Sequence, residues 1–254
     1  MSRNVQSLER GLAVLEALVK SGPIGVTDLA NQLELDKTIV HRLLATLQSM
    51  NYVTQDINRK YLVGSRLRLI GAKVLMNIDL RTQALPYMHI LAEESIGVAH
   101  LAKMADSRAV YIERVQHPEF NIPSTPVGGD SPGYCSAAGK ILWAYLSQEQ
   151  LNMMLEQVQF KPHTPNTIVD RETLQRHLAA IHEQGYAVDN EEHRVGIVGV
   201  GAPVMDYSGS VVASICVGCS RGNATSEVIE RTRDLVLDVA IRLSQDMGYG
   251  NNTF

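Results

Sequence analysis

The chain has 254 residues, a net charge of −4, 45% hydrophobic and 20% charged residues, and three cysteines. That length suits two modest domains, the apolar fraction excludes a mainly disordered chain, and so few cysteines exclude a disulfide framework. Residues 1–10 carry charges where a signal peptide needs an apolar stretch, and no run approaches the ~18 apolar residues of a membrane helix. A soluble cytoplasmic protein without a membrane partner is expected.

The charge is unevenly spread. Residues 1–76 hold ten Lys/Arg and six Asp/Glu, leaving 13 and 21 for the remainder, so a head of +4 precedes a body of −8. A phosphate-binding head on an acidic body has this asymmetry, although so small an excess also arises by chance.

In chain order, Leu8, Leu12, Leu15 and Val19 mark the apolar stripe of a helix from about Ser7 to Lys20, stopped by Ser21-Gly22-Pro23. A two-turn helix follows over residues 26–33, with Thr27 as N-cap and Leu29, Ala30 and Leu33 facing inward. Glu34-Leu35-Asp36 makes a tight turn, and Asp36 caps a third helix that runs to about Met50. Its buried face is expected at Ile39, Leu43, Leu47 and Met50, flanked by Val40 and Leu44. That assignment leaves Lys37, Thr38, His41 and Arg42 open on the first turns, where they can reach base edges and phosphates in a major groove. Residues 52–55 and 60–63 read as a hairpin around a polar tip, a wing whose Arg59 and Lys60 would touch the backbone or the minor groove. An ordinary helical domain with a solvated basic face would share the charges. The order of helices, turn and hairpin argues for a winged helix-turn-helix.

Leu67, Leu69, Ile70, Val74 and Leu75 then give a linker helix an apolar side. Beyond it, Leu85, Met88, Leu91 and Ala92 suggest a helix, residues 99–105 and 109–115 strands, Ser147 with Gln150 a capping box, and Leu174, Leu178 and Ile181 a later helix. Residues 197–204 and 211–217 suit sheet strands, and Val228, Leu235, Val239 and Leu243 mark a closing helix. Between these, Gly133-Tyr134-Cys135-Ser136-Ala137-Ala138-Gly139-Lys140 sets very small side chains before a helical run. If the helix starts near Ser136, its free N–H groups and dipole suit a carboxylate; close packing of helix on sheet explains the same Ala and Gly residues equally well. Period two in residues 211–218 places Val211, Ala213, Ile215 and Val217 on one face and Ser214, Cys216 and Gly218 on the other, which suits a pocket wall.

Residues 36–47, Asn51-Tyr52-Val53 and Lys60-Tyr61-Leu62-Val63-Gly64 resemble the isocitrate lyase regulator (IclR) family of bacterial transcription factors. The resemblance extends through Leu8-Glu9-Arg10-Gly11-Leu12, the segment 134–140 and the segment 185–192 with Pro203-Val204, and so spans about Gln6 to Gly248. Asp36 stands where the family commonly has serine, and Tyr134-Cys135 where many members have leucine-histidine. The resemblance implies an α+β protein with a winged helix-turn-helix over 1–64, a linker helix over 65–78, and a GAF-like effector and oligomerisation domain with an antiparallel sheet over 79–254. It implies operator DNA as partner, a repressor of a catabolic operon, an organic-acid or sugar-acid effector, and homodimers or homotetramers. No cofactor, metal or enzyme activity is expected. Residue by residue it carries pocket roles onto Ala137, Ala138, Asp189, Gly199, Cys216 and Gly218, with Cys135 and Ser136 beside them. Met104, Tyr111, Val127 and Ile197 are candidates for setting pocket volume.

The competing reading is a cysteine-based redox sensor, or an enzyme domain with a DNA-binding adaptor. Cys216 and Cys219 have Cys-x-x-Cys spacing, but a strand points them to opposite faces and no second cysteine pair completes a zinc site. A hydrolase would need Cys135 beside His100 or His193, which the spacing does not supply.

Overall fold

A computed structural model describes residues 5–76, 79–117 and 122–250, with side chains at 74–76 outside the described set. The chain divides at residues 78/79 into two compact units, a head and a body.

In the head, α1 (Gln6–Ser21) ends at Gly22, whose φ of 69° lies in the left-handed region that glycine enters freely. The helix α2 (Val26–Gln32) has Gly25 at its N-cap, so Thr27 is not the cap expected from sequence. Glu34 turns the chain with φ 52°, and Asp36 accepts the Thr38 N–H at 2.7 Å to start α3 (Lys37–Ser49). A cap of this kind is worth about 1 kcal/mol. Strands β1 (Val53–Gln55) and β2 (Tyr61–Val63) pair antiparallel, and Ile24 bridges to Tyr61 on the outer edge. Gly64 then passes within backbone contact of Asn51 and Tyr52, where a Cβ would lie 2.3 Å from the Asn51 carbonyl oxygen, before α4 (Ser65–Met76) begins.

The head core is not the one the leucine spacing suggests. It centres on Val14, Leu18, Leu29, Val40, Leu44 and Val53. Leu8, Leu12 and Val19 on α1 and Met50 after α3 are exposed, and Ile39, Leu43 and Leu47 are half-buried. Both stripes are rotated by about one residue. The expected face of α3 and the Leu8–Leu12–Leu15 face of α1 instead line an apolar groove of about 830 Å³ between the two helices. On α4, Leu69 and Ile70 are also exposed. Val74 and Leu75, expected on the same side, have side chains outside the described residues, as do positions 77 and 78 of the expected linker.

The body is built on one six-stranded antiparallel sheet ordered β5-β4-β3-β8-β7-β6. Its strands are β3 (Val98–Ala105), β4 (Arg108–Gln116), β5 (Asp130–Pro132), β6 (Ala187–Asn190), β7 (Ile197–Met205) and β8 (Val211–Ser220). α5 (Leu80–Glu94) and α9 (Ser226–Asp246) pack on the sheet and on each other, while α6 (Ala137–Ala144) packs on β6, β7 and β8 and against α8 (Arg171–Gln184). Between α6 and α8 lies α7 (Gln148–Gln157), held at its start by the complete Ser147–Gln150 capping box. The α8 helix begins at Asp170, which accepts the Thr173 N–H, and stops at Gly185 with φ 78°. A bulge opposite Val204/Met205 leaves Val212 without a partner, so period two breaks there and Val211 joins the cluster around Cys216.

No helix among the described residues is long and apolar enough to cross a membrane.

Candidate DNA interface and ligand cavity

Lys37, Thr38, His41 and Arg42 are all exposed on the first two turns of α3. The Asp36 cap fixes the helix start, so these four side chains project from a defined end while Val40 and Leu44 anchor the opposite side. Arg59 and Lys60 are exposed on the β1–β2 turn. Asp56 organises that turn: its carboxylate accepts the N–H of Asn58 and of Lys60 at 2.9 and 2.8 Å. None of these cations takes part in an ion pair among the described residues. A helix end and a hairpin tip bearing unneutralised cations are what phosphate contact requires.

In the body, Ser136, Ala137, Ala138, Asp189, Gly199, Cys216 and Gly218 line one cavity of about 70 Å³, against the start of α6. Ser136 is the N-cap of α6 and its hydroxyl is fully engaged. It accepts the Gly139 N–H at 3.0 Å and donates to the Pro132 carbonyl at 2.9 Å, while the Ser131 hydroxyl reaches it at 2.8 Å. Tyr111 continues this chain with its hydroxyl 3.0 Å from that of Ser131. The Ala137 and Ala138 N–H groups find no acceptor among the described residues and stand at the positive end of the helix dipole. Packing accounts for only part of this run of small residues. Gly139 is a packing residue, because a Cβ there would lie 2.6 Å from the Gly133 Cα and the Pro132 carbonyl oxygen. Ala137 and Ala138 face the cavity, and a Cβ on Gly218 would meet nothing within 4 Å.

Asp189 is buried, and its Oδ1 accepts the N–H groups of Glu192 and His193 at 2.7 and 3.3 Å. Burial raises its pKa to about 7 against those hydrogen bonds and the nearby Lys140. The lining also includes His100, His193 and Arg194. Burial pushes both histidines down to about 4, so at neutral pH they are uncharged hydrogen-bonding groups. Arg194 is exposed at the rim. Tyr111 and Ile197 contribute to the walls as expected; Met104 packs into the hydrophobic clusters and Val127 is exposed, so neither lines the cavity.

Cys135 is a correction. Its side chain is absent from the lining and sits fully buried in the cluster of Tyr134, Ile141, Trp143 and Leu174. It precedes the N-cap, and the apolar environment beside α8 claims it. Burial drives the Cys135 and Cys216 thiols up to about 12, so neither is a nucleophilic thiolate at neutral pH. All three cysteines are free. Cys216 packs against Ala138 and Leu142, whereas Cys219 packs against Val198 and Ala224 in a separate cluster, as alternation along β8 dictates. Sequence reasoning missed His100, His193 and Arg194 as cavity residues, having weighed the histidines only as partners for Cys135.

Behind the cavity, the Lys140 ammonium is completely buried. It pairs with the Glu192 carboxylate and donates to the Val188 carbonyl at 2.6 Å, with His177 Nε2 at 3.2 Å. The Glu192 carbonyl is held by Thr167 at 2.7 Å. This network ties α6 to the end of β6, which carries Asp189, and to the following loop with His193 and Arg194.

A helix-turn-helix head with a wing, followed by an antiparallel-sheet body with its cavity at a helix start, defines the class of two-domain DNA-binding regulators. Residues 7–56 match the IclR helix-turn-helix domain, and residues 72–245 match the domain described as bacterial transcriptional regulator IclR C-terminal. The chain is 31% identical over 247 residues to the HTH-type transcriptional regulator XynR of Escherichia coli K12, covering 96% of this chain and 98% of XynR. It is 33% identical over 248 residues to the HTH-type transcriptional repressor AllR of the same strain, covering 97% and 92%. Among solved structures, an IclR homologue from Microbacterium hydrocarbonoxydans complexed with 4-hydroxybenzoate shares its fold with a TM-score of 0.62 and 24% identity, over 95% of this chain and 98% of that one. The chain belongs to the IclR family of bacterial transcriptional regulators, and it is a regulator rather than an enzyme.

Proposed function

We propose that the protein is a repressor whose hold on operator DNA is controlled by a small organic or sugar acid bound in the body cavity. In this reading Lys37, Thr38, His41 and Arg42 enter the major groove while Arg59 and Lys60 neutralise flanking phosphates. The acid lies against Ala137 and Ala138, with Ser136, Asp189, Gly199, Cys216 and Gly218 completing the wall. The observation that carries the ligand reading is the pair of unbonded amides at the start of α6, facing a cavity that also holds two neutral histidines and Arg194. A cavity of about 70 Å³ holds on the order of five waters, which favours the short-chain end of the acids.

The domain plan is a head over 1–64, a linker over 65–78 and a sensor over 79–254, in a homodimer or homotetramer in the cytoplasm. Two heads read two half-sites, and the effector changes operator affinity only by as much as it prefers one arrangement of the heads over another. The experiment is a melting-temperature screen against short keto acids, sugar acids and aromatic acids, followed by operator titration with and without the hit. A short acid that stabilises the protein and weakens operator binding supports the reading. Absence of any stabilising acid overturns it.

A further inference from the structure

We propose that Ile57, at the tip of the β1–β2 wing, is an apolar DNA contact that seats in the minor groove beside the half-site read by α3. This rests on the DNA-interface reading above and adds a residue that phosphate chemistry alone does not call for.

Ile57 is 99% exposed, more than any other large hydrophobic side chain among the described residues. A bare isoleucine in water is ordinary on a loose loop, but this turn is stiff. The Asp56 N–H donates to the Lys60 carbonyl at 2.9 Å, and the Arg59 N–H donates to the Asp56 carbonyl at 3.1 Å. The Asp56 carboxylate accepts from Asn58 and Lys60, and the Gln55 amide reaches the Arg59 carbonyl. Arg59 is held at φ 60°, a left-handed conformation that a non-glycine residue keeps only when its surroundings impose it. Ile57 is therefore presented rigidly, and little of its freedom remains to be lost when a partner covers it.

The neighbours name the partner. Arg59 and Lys60 are exposed and without ion pairs among the described residues, while the one nearby acid, Asp56, has its carboxylate turned into backbone N–H bonds. An apolar side chain on the same tight turn as two cations without ion pairs among the described residues matches a groove whose sugar walls are apolar and whose rims are phosphates. Minor-groove proteins insert isoleucine, leucine or phenylalanine in this way and gain sensitivity to groove width and step flexibility. A protein partner would not require the neighbouring cations.

The test uses a DNA duplex selected by the wild-type protein from a randomised pool, with affinity measured across a salt series for Ile57→Ser and Arg59→Gln. Loss of an isoleucine contact predicts about tenfold weaker binding for Ile57→Ser at fixed salt. The salt slope should stay unchanged, because no phosphate contact is lost. Arg59→Gln should instead lower the slope by about one. Hydroxyl-radical protection beside the half-site should fade in Ile57→Ser. The variant is expected to fold normally, and an unchanged melting temperature confirms that. Wild-type affinity in Ile57→Ser overturns the proposal, as does a reduced salt slope. Intact DNA binding with an altered oligomer mass by light scattering would assign the tip to a protein contact and overturn it too. Failure of the wild type to select any duplex would instead sink the DNA-interface reading beneath it.

Discussion

Replacing Lys140 with methionine keeps an unbranched side chain one atom shorter and removes the one charge that balances Glu192 in the interior. Lys140 is fully buried, Glu192 is nearly so, and the second carboxylate oxygen of Glu192 already has no hydrogen-bond partner. Removing one member of such a pair leaves an uncompensated buried carboxylate and costs about 3–5 kcal/mol. The Val188 carbonyl loses its 2.6 Å donor as well. For a body of this size, 1 kcal/mol moves the melting temperature by roughly 2–4 °C, so a drop of about 6–20 °C is expected. Trp143, the single tryptophan of the chain, is fully buried on the same helix as Lys140, so its fluorescence in a urea titration reports unfolding of the body without contribution from the head. The double variant Lys140→Met with Glu192→Leu removes both charges and should recover most of the loss, since apolar replacement of a buried pair is commonly neutral or stabilising. A single variant within about 1 kcal/mol of wild type, or a double variant no more stable than the single, would refute the idea that this pair fastens the loop after β6 to α6.

Arg42→Ala should weaken operator binding and lower its salt slope by about one while effector binding persists; an unchanged titration removes Arg42 from the interface. Gly218→Ala adds a methyl group into open cavity space and should lower effector affinity without moving the melting temperature. Gly139→Ala drives a Cβ into the Gly133 and Pro132 backbone and should destabilise the body by several kcal/mol, read in the same urea titration. Asp189 has its pKa raised to about 7, so an anionic effector should bind best below pH 7, where the carboxyl is protonated, and lose affinity as pH rises through that value. Calorimetric titration of Asp189→Asn should show this dependence flattened. In stability the raised pKa acts with the same sign, a contribution present at acid pH and lost as pH rises towards 7. His100 and His193, held at about 4, act oppositely, adding stability as pH rises from about 4 to 6.5.

Most caps and turns were legible because they depend on few neighbours, Thr27 being the exception. Asp36, Ser147 and the Gly22 stop act within a turn of chain, and the structure places each where the local chemistry requires. Helix faces were less legible. On α1 the leucines draw the eye to residues 8, 12 and 15, yet the buried contacts are made by Val14, Ala17 and Leu18, because the sequence is apolar over more than one side and only α2 and α3 decide which side is covered. The same ambiguity displaced α3, where Val40 and Leu44 form the centre and Ile39, Leu43 and Leu47 its margin. Strands β5 and β6 are three and four residues long, too short to show a period. The cavity was half visible: the small residues at the start of α6 are contiguous in sequence, whereas His100, His193 and Arg194 reach it from β3 and from the β6–β7 loop. Only the strand order β3-β8-β7-β6 brings those segments to one helix end.

The opposite signs of head and body acquire a structural meaning once each charge is followed to its partner. Among the described residues, six ion pairs lie in the body: Arg81 with Glu113, Arg108 with Asp130, Lys140 with Glu192, Arg221 with Glu191, and the two pairs on α9. In the head, Asp36 and Asp56 spend their carboxylates on backbone N–H groups, one starting the recognition helix and the other setting the wing. These two carboxylates thus shape the two surfaces that carry Lys37, Arg42, Arg59 and Lys60 without neutralising them. Lys37, Arg42, Arg59 and Lys60, without ion pairs among the described residues, concentrate positive charge at these two surfaces, and at physiological salt such a field acts within about 8 Å. The body, with its surplus of acids, repels the same phosphates. Electrostatic attraction of this pattern favours approach of phosphates to the head over the body.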